Sequence, residues 1–303
     1  MRGSKTLTLP ARDLCVGRTP VFSLPELSDY FGIKHLWVKD ESANPFGTHK
    51  DRKSLSVVAE AMSLAPHLRP QVFSILTAGN AGLSLARFAS ASAIAVIAFI
   101  TEGDISPFLK SELESLCERV VRLDLNSHEW KSIELCEIAG ANQGRRVFDV
   151  TNGVIDPYSA IVREICQLEP VRRPDVIVLP VGCGELFLGI ERGLQRFGLK
   201  ARLVGVTSRE FSIADKLYAR WRPHGNHVTQ LTLNGSPHHL LNLHDESLLL
   251  DTYNWLRLGG QINCEPSSAA AFTALFKIKA DLRTDEKVLV INTGTFSTKL
   301  TYP

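Results

Sequence analysis

A lysine that directly follows a proline and glycine turn is the first residue whose setting suggests chemistry. Lys50 ends the stretch NPFGTHK, and Leu55, Val58 and Met62 follow it at the spacing of one apolar helix face. Thr48 is the predicted N-cap, so Lys50 falls in the first turn. A cation is disfavoured there, which favours the neutral amine that imine chemistry needs. The alternative is a solvated lysine in the charge run DRK.

A second candidate is the small-residue turn Thr77-Ala78-Gly79-Asn80, which follows an apolar run and opens a predicted helix over 79–89. Its backbone NH groups, hydroxyl and side-chain amide suit a bound carboxylate. The alternative is that Asn80 only caps the helix, since asparagine is a favoured cap.

A third candidate combines Gly182, Cys183, Gly184 and Gly189 after the apolar run DVIVLPV. The spacing misses the dinucleotide fingerprint, and the next apolar run ends in Thr207 rather than an acid, which disfavours NAD. No Gly-Lys-Ser or Gly-Lys-Thr follows, which disfavours a phosphate-loop NTPase. The pattern predicts either a nest for one phosphate or a tight turn between a strand and a helix.

Composition narrows the class of protein. The chain has 303 residues, 44% hydrophobic content and a formal charge of +2, typical of a soluble globular protein. With 34 basic and 32 acidic residues, neither nucleic acid nor a membrane surface is an expected partner. The six cysteines form no CxxC pair, which disfavours disulfides and structural zinc and favours the cytoplasm. The longest apolar run, 91–100, is too short to span a bilayer.

Apolar runs that alternate with helical periodicity predict an α/β fold with parallel sheets. The first series of predicted strands is 72–77, 93–101, 120–125 and 146–151, and the second is 175–182, 201–207 and 287–294. The turn residues of TNGVIDP, at 151–157, predict a crossing between two lobes. Because ligands of such sheets lie beyond the carboxyl ends of strands, the three turns described above are the places to expect a site.

Together these stretches resemble the fold type II family of pyridoxal phosphate (PLP) enzymes, which includes threonine synthase, cysteine synthase and the serine and threonine dehydratases. Six segments stand in the order of the family's motifs: GRTPVFSLPEL, VKDESANPFGTHKDR, TAGNAG, VGCGELFLG, CEPSSAAAFTAL and INTGT. The Lys-Asp-Arg block and the Asn-Ala-Gly loop are most similar to threonine synthase. The resemblance covers nearly the whole chain.

The resemblance implies two open, twisted, mainly parallel sheet domains with the cofactor, pyridoxal 5'-phosphate, in the cleft between them. The smaller domain would be 54–150, and the larger would combine 1–53 with 151–303 and carry the phosphate loop. A homodimer that binds a small-molecule amino acid substrate is expected, without a metal.

The resemblance also gives residues their roles. Lys50 would hold PLP as a Schiff base and then remove the substrate's α-proton. Asn80 would hydrogen-bond the hydroxyl oxygen of the pyridine ring. Thr77, Ala78 and Gly79 would hold the substrate carboxylate.

A further set of residues would wrap the cofactor phosphate: Gly182, Cys183, Gly184, Glu185 and Leu186. Thr293 would face the pyridine nitrogen, and because a hydroxyl does not enforce a pyridinium, elimination or replacement is expected rather than racemisation. His49 stands where the family has Phe or Val, and is either a substrate contact, a proton shuttle or packed. Glu185 replaces a usual glycine, and its carboxylate would repel the phosphate unless the side chain points out along the first helical turn.

The implied function is a PLP-dependent lyase or synthase, threonine synthase-like, that acts on a hydroxy amino acid derivative by β- or γ-elimination or replacement. Alternatives are a dehydratase, a cysteine synthase-type β-replacement enzyme or a non-catalytic PLP-binding relative. The segments DPYSAIVREI and TGTFSTK depart from the threonine synthase pattern. The segment 220–246 holds five of the nine histidines and is predicted to be a solvated or substrate-recognition loop rather than a metal site.

Overall fold

The computed structural model describes residues 15–101, 105–125, 128–218, 224–233 and 235–295. Parts of TGTFSTK and of the histidine-rich segment therefore lie outside the described residues. The strands within these ranges are β1 (Val21–Phe22), β2 (Leu36–Asp40), β3 (Val72–Leu76), β4 (Ala95–Thr101), β5 (Arg119–Leu123), β6 (Val147–Asp149), β7 (Val176–Pro180), β8 (Arg202–Ser208), β9 (His239–Leu243) and β10 (Val288–Asn292).

The helices among the same residues pack on these strands. They are α1 (Pro25–Phe31), α2 (Lys50–Ser63), α3 (Asn80–Ala89), α4 (Pro107–Leu116), α5 (Ser132–Ile138), α6 (Ser159–Cys166), α7 (Glu185–Phe197), α8 (Gly225–Leu231), α9 (Glu246–Leu258), α10 (Pro266–Thr273) and α11 (Leu275–Ile278). No helix of the described residues has both the length and the apolar character needed to cross a bilayer.

One compact unit contains Lys50–Gly153 and, among the described residues, also 15–16. Its four strands lie in the order β5-β4-β3-β6, and every pair is parallel. The chain moves outward from β3 to β5 and then returns to the other side of β3. The topological switch point therefore lies between β3 and β6, which is where ligands of open α/β sheets bind.

The second unit contains Gly17–His49 and, among the described residues, 154–295. Its six strands lie in the order β1-β2-β10-β7-β8-β9, with β1 antiparallel to β2 and the other pairs parallel. Strands β7 and β10 are buried at every residue. Here the chain moves outward from β7 to β9 and returns through β10, so the switch point lies between β7 and β10.

The predicted α/β fold with two mainly parallel sheets is confirmed, and each of the seven predicted strands overlaps an observed one. Strand β2 was missed because Lys39 and Asp40 interrupt its apolar pattern. Lys39 is buried, and its Nζ donates to Thr19 O and to Glu164 Oε2, both at 2.6 Å. The proposed domain bounds of 54–150 and of 1–53 with 151–303 stay a prediction.

The histidine-rich segment is more ordered than predicted. Its described residues form α8 and β9, so the prediction of a loop was wrong for these parts. Strand β9 lies at the edge of the sheet and buries only Leu243 fully, which explains its weak apolar signal. Among the described residues, no group of three or more His, Cys, Asp or Glu side chains could hold a metal ion.

His238 anchors the start of β9, and this contact predicts how stability depends on pH. The Leu203 NH donates to His238 Nδ1 at 3.1 Å, and burial together with His239 lowers the pKa of the His238 imidazole. The unfolded chain therefore takes up this proton first as the pH falls, and stability is lost below about pH 6.5. Thermal unfolding should show that stability falls less between pH 7.5 and 5.5 in His238→Asn than in the wild type. The asparagine amide oxygen still offers an acceptor to the Leu203 NH. An identical pH dependence in wild type and variant would contradict this assignment.

Candidate active site

The helix that carries the candidate lysine begins at that lysine, since Lys50 is the first residue of α2. Thr48 forms an isolated β-bridge with Gly294, and its role as N-cap stays a prediction. The residue that precedes the helix is His49. The amine is therefore set at the amino end of a helix of 14 residues, where the positive end of the helix dipole disfavours a second positive charge.

The charge run after Lys50 is buried rather than solvated. Asp51, Arg52 and Lys53 are 0%, 6% and 5% exposed, so the alternative of a solvated charge run was wrong. The Ser84 hydroxyl on α3 donates to Asp51 Oδ1 at 2.6 Å, and Lys53 Nζ donates to Thr151 O at 3.2 Å. These bonds fix the first turn of α2 against α3 and the end of β6.

Several polar groups of the turn before α3 are already hydrogen-bonded to other groups of the protein. Thr77 Oγ1 accepts from the NH groups of Gly79 and Gly82, both at 3.0 Å, and the Thr77 NH donates to Phe99 O at 2.8 Å. Ala78 is exposed. The Thr77 and Gly79 NH groups are therefore already bonded within the unit, which leaves a smaller set of donors for a carboxylate than the sequence suggested.

Lys50 and the first turn of α3 lie side by side in their unit. Lys50, Lys53 and Ala81 line a common cavity of about 10 Å³, and Ile75 of β3 forms another part of its wall. A cavity of this size holds about one water molecule. The arrangement places the amine-bearing helix start next to Asn80, which is the first residue of α3.

The glycine-rich turn 182–186 joins β7 to α7. Gly184 is the N-cap with φ of 97° and offers no side chain to the helix, so the first-turn NH groups point beyond β7. A Cβ on Gly182 would lie 2.7 Å from Lys216 O, and one on Gly184 would lie 3.0 Å from Val228 Cγ2. Both positions thus require glycine, and the turn has the shape of an anion nest.

Glu185 and Gly189 are both buried residues of α7. Glu185 is only 1% exposed, so its carboxylate is buried at the first turn of α7. A Cβ on Gly189 would lie 2.5 Å from Tyr158 Cβ, which makes this glycine a packing residue. Leu186 is buried in the core, and Cys183 is half-buried.

The buried carboxylate of Glu185 is expected to weaken phosphate binding at the turn. Glu185→Gln should tighten PLP binding by about 3- to 10-fold, because it removes a negative charge near the dianion. Titration of apo protein with PLP measures this. Glu191→Gln, two turns further along α7 and also buried, is the matched control and should leave the affinity unchanged.

Thr293 follows β10 and pairs with a second hydroxyl. Its Oγ1 lies 2.6 Å from Ser268 Oγ on α10, and the Gly294 NH donates to the same serine oxygen at 3.1 Å. Both side chains are buried. A hydroxyl pair, rather than a carboxylate, therefore stands at this switch point.

His49 is held on the backbone of Thr293. Its NH donates to Thr293 O at 2.9 Å, and its Nδ1 lies 2.9 Å from the same oxygen. Because a carbonyl can only accept, Nδ1 carries the hydrogen in the neutral ring. The ring centroid lies 5.7 Å from that of Tyr158, so His49 is packed and hydrogen-bonded, and its role as a substrate contact stays a prediction.

Four residues near the candidate site were not assigned a role from the sequence. Ser268 lies in a recognised segment, but its partner Thr293 is 25 residues away. Lys216 and Glu265, which form an ion pair next to the glycine-rich turn, are 49 residues apart. Cys264, directly before Glu265, stays a neutral thiol because burial raises its pKa to about 12.

A family model described as pyridoxal-phosphate dependent enzyme matches residues 13–294, and the chain belongs to this family. Its cofactor is pyridoxal 5'-phosphate. The donors present fit that group: an amine at Lys50 suits the aldehyde, the nest at 182–186 suits the phosphate, and a neutral hydroxyl at Thr293 suits an unprotonated ring nitrogen.

Curated and solved relatives agree with this family. The threonine synthase of Methanocaldococcus jannaschii is 26% identical over 196 residues, which cover 62% of this chain and 47% of that protein. The match thus spans about half the length of that relative. An aspartate racemase structure superposes with a TM-score of 0.75 at 16% identity, covering 94% of this chain and 92% of that one. An O-ureido-L-serine synthase structure gives 0.74 at 20% identity, covering 98% and 94%. At these identities the structural matches show the fold.

Proposed function

We propose that this protein is a PLP-dependent lyase or synthase, threonine synthase-like, that acts on a hydroxy amino acid derivative with an activated leaving group at Cβ or Cγ. The observation that carries the proposal is the position of the candidate turns. The turn 77–80 follows β3, and the turn 182–186 and Thr293 follow β7 and β10, so all of them flank the switch points of their sheets.

Lys50 has two tasks in this proposal. Its amine would hold PLP through the cofactor's aldehyde, with release of water, and as a free amine it would remove the substrate's α-proton. When bound, PLP supplies a conjugated ring that stabilises negative charge at the α-carbon. The helix start favours the neutral amine that both tasks need.

The turn before α3 positions the substrate. The Ala78 NH and the Thr77 hydroxyl bind its carboxylate, and Gly79, with φ of 123°, allows the backbone to turn toward it. Asn80 at the first position of α3 directs its amide to the ring hydroxyl. The NH groups of Gly79 and Gly82 donate to Thr77 Oγ1 and keep this turn rigid, so little conformational freedom is lost on binding.

Two elements of the second unit are also proposed to contact the cofactor. The NH groups of 182–186 bind its phosphate at the amino end of α7. The Thr293 hydroxyl, which contacts Ser268 Oγ, would be the partner of the ring nitrogen. Because a hydroxyl does not enforce protonation of that nitrogen, this residue would favour elimination or replacement over racemisation.

The relative in Methanocaldococcus jannaschii supports a threonine synthase-like substrate, since it is a threonine synthase. We further propose that the protein is a cytoplasmic homodimer. Dehydratase and cysteine synthase-type activities are the alternatives within the same chemistry, and both use the same residues.

The test is a spectral screen of the purified holoenzyme. Serine, threonine, their O-acetyl and O-phospho derivatives and phosphohomoserine are added one at a time, and the absorbance of the bound cofactor is followed. The proposal expects a change with at least one phosphorylated or acetylated substrate, with threonine released from phosphohomoserine. Keto acid release would identify a dehydratase, and capture of an added thiol would identify β-replacement. A spectrum that no amino acid changes would contradict any catalytic role.

A further inference from the structure

We infer that the ion pair between Lys216 and Glu265 is a positioning device that fixes the glycine-rich phosphate turn relative to Thr293, and so sets the affinity for the whole cofactor. The inference rests on the proposed roles of the turn 182–186 and of Thr293. Neither Lys216 nor Glu265 is assigned a contact with the cofactor itself. All the groups involved belong to the second unit.

The lysine end of the pair lies against the phosphate turn. Lys216 belongs to the 3-10 turn Asp215–Leu217, and its carbonyl oxygen lies 2.7 Å from the position of a Cβ on Gly182. Leu217 is buried in the core, and Ser208 Oγ donates to Ala214 O at 3.1 Å. The backbone around Lys216 is thus fixed, and it forms one wall of the turn.

The glutamate end of the pair lies against Thr293. The Glu265 NH donates to Gly294 O at 3.0 Å, and the Glu265 carbonyl accepts from the Ser268 NH at 2.9 Å. Ser268 Oγ in turn lies 2.6 Å from Thr293 Oγ1. Any movement of Glu265 is therefore transmitted to both the backbone and the hydroxyl at this switch point.

Between these ends the Lys216 ammonium contacts the Glu265 carboxylate, and the two side chains are only 14% and 7% exposed. A buried ion pair contributes little net stability, because desolvation offsets much of the attraction. Its better-attested role is to specify geometry, which is what a link between two binding elements requires.

A ligand held at two ends gains affinity only when both ends are correctly spaced. Each end alone binds weakly, and the second contact is made at a high effective concentration when the spacing is right. Loss of the Lys216–Glu265 link should therefore weaken the binding of intact PLP while the binding of a lone phosphate ion is preserved. A direct phosphate ligand would behave differently, since its loss would weaken both.

The experiment compares apo wild type with Lys216→Met. PLP affinity is measured by titration, and phosphate affinity by competition of inorganic phosphate with PLP. The inference expects PLP affinity to fall by about 10-fold or more, with phosphate affinity within about 2-fold of wild type. The ³¹P signal of bound PLP should shift or broaden. Lys216→Arg, which keeps the charge, should restore most of the affinity.

Lys287→Met is the control, because Lys287 pairs with Asp175 at 3.8 Å next to the opposite, amino ends of β10 and β7. It should leave PLP affinity unchanged. If Lys216→Met does not fold, Glu265→Asp is used instead, because it keeps both charges and shortens the acidic side chain. PLP affinity should then fall by a smaller factor, again with phosphate affinity preserved. Unchanged PLP affinity, or an equal loss of phosphate affinity, would overturn the inference. Absence of a PLP adduct in wild type would instead refute the proposed function.

Discussion

Replacing Lys50 with alanine is expected to reduce turnover by about 10³-fold or more, because one amine serves both as the covalent anchor and as the base. The variant should still fold, since Lys50 is only half-buried and the adjacent bond between Ser84 and Asp51 remains. It should bind PLP without a covalent bond and release it on dialysis. Turnover of the substrate identified in the spectral screen measures the effect.

Lys53→Ala separates this role from a general need for a lysine in α2. Lys53 lines the same cavity and donates to Thr151 O, so its loss should lower stability. The PLP adduct should nevertheless remain on Lys50. If Lys50→Ala kept more than about a tenth of the activity, the assignment of Lys50 as base would be wrong.

Gly182→Ala is expected to weaken PLP binding by about 10-fold or more and to lower the free energy of unfolding by about 1–3 kcal/mol. The added methyl would lie 2.7 Å from Lys216 O, which is backbone and cannot rotate away. The phosphate turn must therefore shift, and its NH groups would no longer point toward a single phosphate position. Titration of apo protein with PLP and denaturant unfolding measure the two effects.

Gly189→Ala is the matched control for this substitution. Its methyl would lie 2.5 Å from Tyr158 Cβ, so a comparable loss of stability is expected from crowding between α7 and the segment before α6. Its effect on PLP affinity should be much smaller, since Gly189 lies one turn inside α7. Equal losses of affinity in the two variants would show that Gly182 acts only through stability.

Much of the fold could be predicted because its central strands are buried on both faces. Strand β7 reads VIVLP with every residue buried, and such runs stand out in a sequence. Strand β2 could not be predicted, because the charged residue Lys39 interrupts its apolar pattern. That charge is compensated by Glu164, which is 125 residues away, and no local pattern reveals such a pair.

In the candidate site, too, some features have a local sequence signal and others depend on how the chain folds. The positions of Lys50 and of the turns 77–80 and 182–186 at helix starts and strand ends could be predicted from local signals, and their roles stay predictions. The internal use of the Thr77 and Gly79 NH groups could not be predicted, since it depends on the exact turn geometry. The burial of Glu185 also depends on how α7 packs, which its sequence position does not show.

The central claim is that the Lys50 amine carries the cofactor. Holoenzyme is reduced with borohydride and digested, and the peptides are analysed by mass spectrometry. A pyridoxyl group is expected on the peptide that contains Lys50, and none is expected on this peptide after Lys50→Ala. A pyridoxyl group on another lysine, or on no peptide, would contradict it.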